Sequence, residues 1–495
     1  MMISDLTHIV RSFDGRRVLV VGDLILDRYV YGDATRISPE APVPVLRAVE
    51  QDERVGGSAN VAACLVALGA KVRCMGTIGA DTAGQRLRSL LSDLGVDGSG
   101  LVVADDRGTS TKTRFVGLAQ HRHRQQLLRF DEESTENLPP HTAAKLTAAV
   151  TQAVAQVDVV CIEDYAKGLV TSELVQAVVA AARAAGIPVI VDPARLSDYS
   201  QYKGVTLVTP NRNELELVAG RPFDSPGAVM ETIGQLLRLW DVESAVVTLD
   251  RDGAVVARAG REPAHIPTRP RSVYDNTGAG DAVLACLAAA VAADASLEDA
   301  VRLANIAGGL EVEKFGCVPI TADEMLAELR LEDRRRNGKA RKLDELVAEL
   351  GLRRDRGETV ALTNGVYDIL HPGHVDLLEK ARDEASLLVV AVNSDASAKR
   401  LGKGAGRPIN DQRFRVRMLE ALECVDYVVI FDEPTPLHLI ERVRPNVLVK
   451  GEDWAVKGVV GREFVESIGG RVRLVPVVEG FSTTSILERI RNGLS

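Results

Sequence analysis

Four short stretches combine residue types that hold phosphates and activate hydroxyls. The first is Asp275-Asn276-Thr277-Gly278-Ala279-Gly280-Asp281, followed by a small, apolar run over 282–293. Small residues at Gly278, Ala279 and Gly280 let a phosphate approach the backbone. A helix starting there aims unpaired N–H groups and a positive dipole end at that phosphate. Asp281, in the first turn, is badly placed to attract a polyanion but well placed to take a proton from an attacking hydroxyl. The plainer alternative is a helix start with a favourable first-turn acid. The second stretch, Pro210-Asn211-Arg212-Asn213-Glu214, follows the apolar strand 205–208. Asn211 and Glu214, three apart, can order magnesium waters and phosphate oxygens, or simply cap a helix.

The third stretch is His371-Pro372-Gly373-His374, reached through Asn364 and Gly365 after an apolar strand. Two imidazoles three apart on a first turn face the same way and can stabilise a phosphate that gains charge. One alternative is a structural pair capping a turn; another is zinc, but it needs further ligands, the nearest other histidine is His438 and no cysteine lies close. The fourth pairs a basic, glycine-rich loop with Lys403 and Arg407, plain linker or a holder of triphosphate, with Ser482-Thr483-Thr484 opening the last helix, where hydroxyls cap routinely and also bind phosphate oxygens.

These groups need elements to hold them. Apolar strands at 157–162, 188–191, 205–208 and 245–249 alternate with helices at 173–185 and 226–240, the pattern of a parallel sheet covered on both faces. Ligands of such sheets bind beyond the carboxyl ends of the strands. Asp23, residues 163–168, Asp192 and Asn211 all stand there, as does the turn before Gly278. Gly56-Gly57 leads into a helix through Asn60, whose amide suits hydroxyls; a tight turn explains the glycines equally well. Residues 29–46, 109–116 and 125–130 read as strands off the main sheet, with His121-Arg122-His123-Arg124 as a solvated tip rather than a metal site. A charged run at 331–342 marks a break. The expected division is 1–330, a linker at 331–357 with one short helix, and a second α/β unit at 358–495.

Bulk properties exclude several functions. With 495 residues, 46% apolar and 26% charged, the chain builds large cores. A net charge of −9 and 4% aromatics speak against nucleic acid as partner. Six scattered cysteines without a C-x-x-C pair suit free thiols in a reducing compartment. No leader-like segment and no run of about 20 apolar residues is present, so no membrane is expected and the setting reads as cytoplasmic.

The G-A-G-D and N-x-x-E segments resemble those of the ribokinase family of sugar kinases. That resemblance implies a parallel sheet with a small β lid. It makes Asp281 the base, Gly278 to Gly280 the anion hole and residues 211–214 the ATP site, with magnesium near Glu214. It assigns Asp23, Gly56, Gly57 and Asn60 to the sugar. The H-x-G-H segment with the hydroxyl-rich helix start resembles the cytidylyltransferase-like nucleotidyltransferases, a Rossmann-like fold. It gives His371 and His374 the transition state, and Asn364, Gly365, Lys403, Arg407, Lys450, Ser482, Thr483 and Thr484 the nucleotide. The order of the units, with segments 36–45, 126–131, 164–168, 363–374 and 482–484, resembles the bifunctional heptose 7-phosphate kinase / heptose 1-phosphate adenylyltransferases.

That last resemblance adds Arg129, Lys167 and Asp192 to the sugar site. It implies ATP and Mg2+ as cofactors, sugar phosphates as substrates, a homodimer through the lid, and a separate phosphatase between the two steps. The chain departs from the family pattern at Ala194 after Asp192-Pro193, at Glu452, and in a loop around Lys403 one glycine longer; these bear on phosphate binding and nucleotide choice. Competing readings are another sugar phosphate or nucleotide, or a regulatory nucleotide-binding protein; intact Asp281, His371 and His374 speak against the last.

Overall fold

The apolar strands pair into two separate sheets in a computed structural model. It describes residues 3–495 except 119–124, 270, 272–277, 315, 355–356, 403–405, 457, 477–485, 487–488, 490–492 and 494–495. Contacts divide the chain into Met1–Arg330 and Leu331–Ser495.

The first unit is built on an eight-stranded sheet. Its order is Ala264–Ile266, Ala254–Arg258, Ser244–Thr248, Leu207–Val208, Val189–Asp192, Val159–Glu163, Arg17–Gly22, Lys71–Met75. From Ser244–Thr248 to Lys71–Met75 the pairing is parallel; the first two strands complete an antiparallel edge. Parallel strands are covered on both faces, so they read as unbroken Val/Ile/Leu runs. Alternate residues of one strand feed different cores. Val18 and Val20 join helices Ser58–Ala67 and Ala279–Ala292, while Leu19 and Val21 join helices Pro140–Val154 and Ser172–Ala185.

The strands expected off the main sheet form a four-stranded lid, ordered Pro44–Gly57, Leu24–Ile37, Ser110–Gly117, Gln125–Glu132. Asp23 alone separates Leu24–Ile37 from the main-sheet strand Arg17–Gly22, and Pro44–Gly57 runs straight into helix Ser58–Ala67. Lid and site therefore share their ends. The tip 121–124 lies outside the described residues.

The second unit has an all-parallel sheet: Ala340–Arg341, Tyr427–Phe431, Leu387–Asn393, Val360–Gly365, Val447–Gly451, Arg471–Val475. Cores fill both faces. The stretch expected as a solvated linker supplies parts of this unit. Ala340–Arg341 pairs beside Tyr427–Phe431, and helix Leu343–Arg354 puts Leu346 and Leu350 into the core. Its charges misled because they are paired off within the unit: Arg341 with Glu349 and Arg353 with Glu358. Among the described residues, no helix is long and apolar enough to cross a membrane.

Candidate active sites

In the first unit the helix Ala279–Ala292 is almost wholly alanine and small apolar residues, so it can be buried on all sides. Gly278 caps it with φ +95°, and a Cβ there would stand 2.9 Å from Glu311 Oε1 and 3.1 Å from Cys317 Sγ. Only glycine fits. At Gly280 a Cβ would meet nothing within 4 Å, which leaves open space beside the helix start. Residues 272–277, including Asp275 to Thr277, lie outside the described residues.

Asp281 follows in the first turn, buried. Its carboxylate is held at both oxygens: Asn60 Nδ2 donates to Oδ2 at 2.6 Å, and the Tyr165 hydroxyl donates to Oδ1 at 3.2 Å. Burial pushes its pKa up to about 6, against the pull of those two donors. It remains largely ionised at neutral pH and readier than an ordinary aspartate to accept a proton. Asn60, which the resemblance assigns to the sugar, is bonded directly to the Asp281 carboxylate. Tyr165 was given no role of its own from the sequence; it entered only within the strand-end stretch 163–168 and the matching segment 164–168.

Asp23 is buried, and its Oδ2 accepts from the backbone N–H groups of Tyr165 at 3.0 Å and Lys167 at 3.1 Å. Burial raises its pKa to about 6. Gly56 and Gly57 pack against protein atoms: added Cβ atoms would lie 2.5 Å from Asp27 Oδ2 and 2.4 Å from Asp23 O. The tight-turn explanation accounts for both. Lys167 is paired with Glu133 at 2.5 Å, and Arg129 with Asp131 at 3.0 Å on the exposed strand Gln125–Glu132.

Asp192 accepts from Thr209 Oγ1 at 2.5 Å and is the register partner of Glu163. Burial comes first among the causes that push its pKa well up, with Glu214 its strongest charged neighbour. Glu163 is buried with Oε2 lacking a partner, and is pushed up in the same way. Asn211 and Glu214 form the full capping box of helix Arg212–Ala219: Glu214 N–H donates to Asn211 Oδ1 at 3.0 Å, and Asn211 N–H donates to Glu214 Oε2 at 2.8 Å. The structural alternative is thus realised, though Glu214 is half-buried with its pKa raised by burial. Arg212 is bonded to Phe223 O at 2.7 Å and paired with Asp252 at 2.6 Å, while Asn213 is exposed.

In the second unit His371 caps helix Pro372–Asp383 and His374 closes its first turn, its N–H donating to His371 O at 2.8 Å. Their rings stack with centroids 3.8 Å apart and planes 22° apart. Tyr367, at φ +52°, sets its ring edge-on to His374 at 5.2 Å. Burial lowers the pKa of His371, which favours its neutral form. Among the described residues, no three His, Cys, Asp or Glu side chains gather as metal ligands.

Lys450 is buried and donates to Asn364 O at 2.8 Å, with Nζ 5.0 Å from the Trp454 ring centroid. Arg407 pairs with buried Asp368 at 3.1 Å; the same carboxylate accepts from Ile409 N–H at 2.7 Å and Asn410 N–H at 3.1 Å. Gly365 ends its strand with an added Cβ only 3.0 Å from the Tyr367 ring. Sequence reasoning missed Arg415, whose side chain is fully buried. It donates to Val366 O at 2.6 Å and Asn410 O at 3.1 Å, and pairs with Asp395 at 2.7 Å. It ties the segments that follow strands Val360–Gly365 and Leu387–Asn393 to the turn before its own helix, Gln412–Glu420. Lys403, Ser482, Thr483 and Thr484 lie outside the described residues.

Comparison with known proteins follows the same division. Residues 16–323 match the family model "pfkB family carbohydrate kinase", and residues 362–491 match "Cytidylyltransferase-like". The first unit has the fold of a putative ribokinase from Agrobacterium tumefaciens (22% identity, TM-score 0.52, 64% of this chain, 98% of that one). It is similar in the same way to phosphofructokinase-2 from Escherichia coli (23%, TM-score 0.52, 63% and 99%). Fold and site thus define a pfkB-type carbohydrate kinase unit followed by a cytidylyltransferase-like unit. Over 472 residues the chain is 43% identical to the "Bifunctional protein HldE" of Geobacter sulfurreducens, covering 95% of each chain. It is 41% identical to that of Bradyrhizobium diazoefficiens, covering 99% of each. The chain belongs to the family of bifunctional HldE proteins.

Proposed function

We propose that this chain makes ADP-heptose from heptose phosphates in two separate steps. In the first unit, ATP phosphorylates C1 of heptose 7-phosphate to the 1,7-bisphosphate. In the second, heptose 1-phosphate attacks the α-phosphate of ATP, giving ADP-heptose and pyrophosphate. A separate phosphatase removes the 7-phosphate in between, since the first product still carries it. The observation that carries this reading is the buried Asp281, fixed at the head of its helix, on a chain that aligns end to end with relatives called bifunctional.

Asp281 takes the proton of the C1 hydroxyl as that oxygen attacks the γ-phosphate; Asn60 and Tyr165 keep its carboxylate in one orientation. The N–H groups at Gly278 to Gly280 face the charge on the moving phosphoryl group. Asp23 orients the sugar. His371 and His374 donate to the α-phosphate as it gains charge, without a covalent intermediate. Hard oxygen donors at Glu214 and its acidic neighbours suit Mg2+. Bound with ATP, it supplies neutralisation of the triphosphate charge, and Glu214 would hold it through water. A homodimer through the lid goes with this reading, supported by Leu128 and Phe130, which are 59% and 52% exposed on one lid strand. A cytoplasmic setting also goes with it, since both steps consume ATP and all six cysteines are free.

The test is product identification by mass spectrometry with the purified full chain. Heptose 7-phosphate with ATP should give a bisphosphate, and heptose 1-phosphate with ATP should give ADP-heptose and pyrophosphate. A different preferred sugar or nucleotide would replace this reading, and binding without turnover would leave a regulator.

A further inference from the structure

Tyr165 joins the two carboxylates of the kinase site. Its backbone N–H donates to Asp23 Oδ2 at 3.0 Å, and its hydroxyl donates to Asp281 Oδ1 at 3.2 Å. Over its ring, at 5.1 Å from the centroid, lies Nζ of Lys112. Lys112 belongs to the lid strand Ser110–Gly117, where its register partners are Asp27 and Asp131. Those two carboxylates are already paired, Asp27 with Arg114 at 2.5 Å and Asp131 with Arg129 at 3.0 Å.

We propose that Tyr165 is a positioning residue for the kinase base and that Lys112 connects it to the lid, so that lid, phenol and carboxylate act as one unit. The inference rests on reading Asp281 as the base of a sugar-phosphate kinase. A carboxylate held at one oxygen turns about its Cβ–Cγ bond; one held at both, by Asn60 and Tyr165, presents a fixed lone pair to the substrate hydroxyl. The phenol can only donate here. The charge of Asp281 first, and burial second, push its pKa far up, so it stays protonated wherever the protein works. An ammonium over the ring face draws electron density from it and strengthens that donation.

Three variants of the full chain test this: Tyr165→Phe, Lys112→Met and the double variant, assayed with heptose 7-phosphate and ATP from acid to alkaline pH. Tyr165→Phe should lower kcat about tenfold while KM changes less than about twofold. The acid limb of its profile should move to higher pH, because a donor that favours the carboxylate is gone. The other charged and titratable groups facing Asp281 remain in every variant except the one replaced: Asp27 and Lys112 of the lid, Glu163 and Asp192 at the strand ends, and Cys64 and Cys317 beside the helix start. Lys112→Met should shift the limb the same way by less, and the double variant should be no worse than Tyr165→Phe alone. Lys112→Arg should restore the wild-type profile.

A Lys112→Met protein with raised KM and wild-type kcat would make the lysine a ligand of the substrate phosphate and overturn its connection to the base. Wild-type kcat and profile in Tyr165→Phe would overturn the positioning role. Failure of the underlying reading looks different, since wild type would then be inactive on the sugar phosphate or Asp281→Asn fully active. In that case the titration of Asp281, followed by 13C NMR of aspartate-labelled chain and assigned with Asp281→Asn, still decides. It should move up in Tyr165→Phe, and an unmoved value overturns the inference. Adenylyl transfer by the second unit and a retained melting transition of the first show that each variant is folded.

Discussion

Asp281 is ionised where water hardly reaches it, and this has two opposite consequences. For catalysis it makes a stronger base: kinase turnover should fall as pH drops through about 6, where the carboxylate gains its proton. For stability the sign reverses. A carboxyl with a raised folded pKa favours its protonated form, so its contribution to stability is lost as pH rises from the unfolded value through about 6. Asp281→Asn should therefore cut sugar phosphorylation by about 10²–10⁴. It should also stabilise the first unit at alkaline pH by about 1–3 kcal/mol. Paired activity assays and thermal melts check both signs; a variant that is active, or destabilised at alkaline pH, contradicts this account. His374 makes the matching forecast for the second unit. His374→Ala removes one donor from a phosphate that gains charge and should cost about 3 kcal/mol, or 10²–10³ in turnover. Kinase activity should stay as it is. Stoichiometric zinc in the wild type, with a second unit that unfolds on chelation, would instead make the pair structural.

At the scale of elements, much was legible because parallel strands announce themselves as apolar runs and their carboxyl ends collect ligands. The runs at 157–162, 188–191 and 245–249 lie within one or two residues of strands Val159–Glu163, Val189–Asp192 and Ser244–Thr248. The contacts of Asn60 and Tyr165 were not legible. Asn60 and Asp281 are 221 residues apart, and only the closed fold brings the amide to the carboxylate. Arg415 was hidden for the same reason: a buried arginine with partners at Val366, Asp395 and Asn410 looks, in sequence, like any surface helix residue. Helix Leu343–Arg354 was half legible, since its charges were plain and the burial of its two leucines was not. The lid carries its own forecast. Leu128 and Phe130 are two apart on one strand and so share a face. An apolar face of this kind suits a second copy of the lid. Phe130→Asp should convert a dimeric chain to monomers in sedimentation experiments while leaving the first unit folded; a wild type that is monomeric at all concentrations removes the lid interface.

For the molecule as a whole, two units with their own cores should separate, but only if cut in the right place. Residues 1–330 should keep kinase activity and residues 331–495 adenylyl transfer. A fragment 355–495 should be markedly less stable, because it lacks the strand Ala340–Arg341 and the helix that buries Leu346 and Leu350, both at 0% exposure. Each of those leucines contributes about 1.5–3 kcal/mol. Equal denaturant midpoints for the two fragments would show that the helix adds nothing. The helix bearing Asp281 has a last consequence. Ala285, Ala288, Ala289 and Ala290 are sealed from solvent. Their amide protons are bonded inside a helix packed on every side, so they exchange with heavy water only when the whole unit opens. Ligand that binds the closed form alone slows this opening route by the factor one plus its concentration over Kd. Isotope uptake in this one helix is thus a clock for occupancy. Even a chain that has lost its base should reveal, by how slowly deuterium arrives there, how tightly it still holds its sugar.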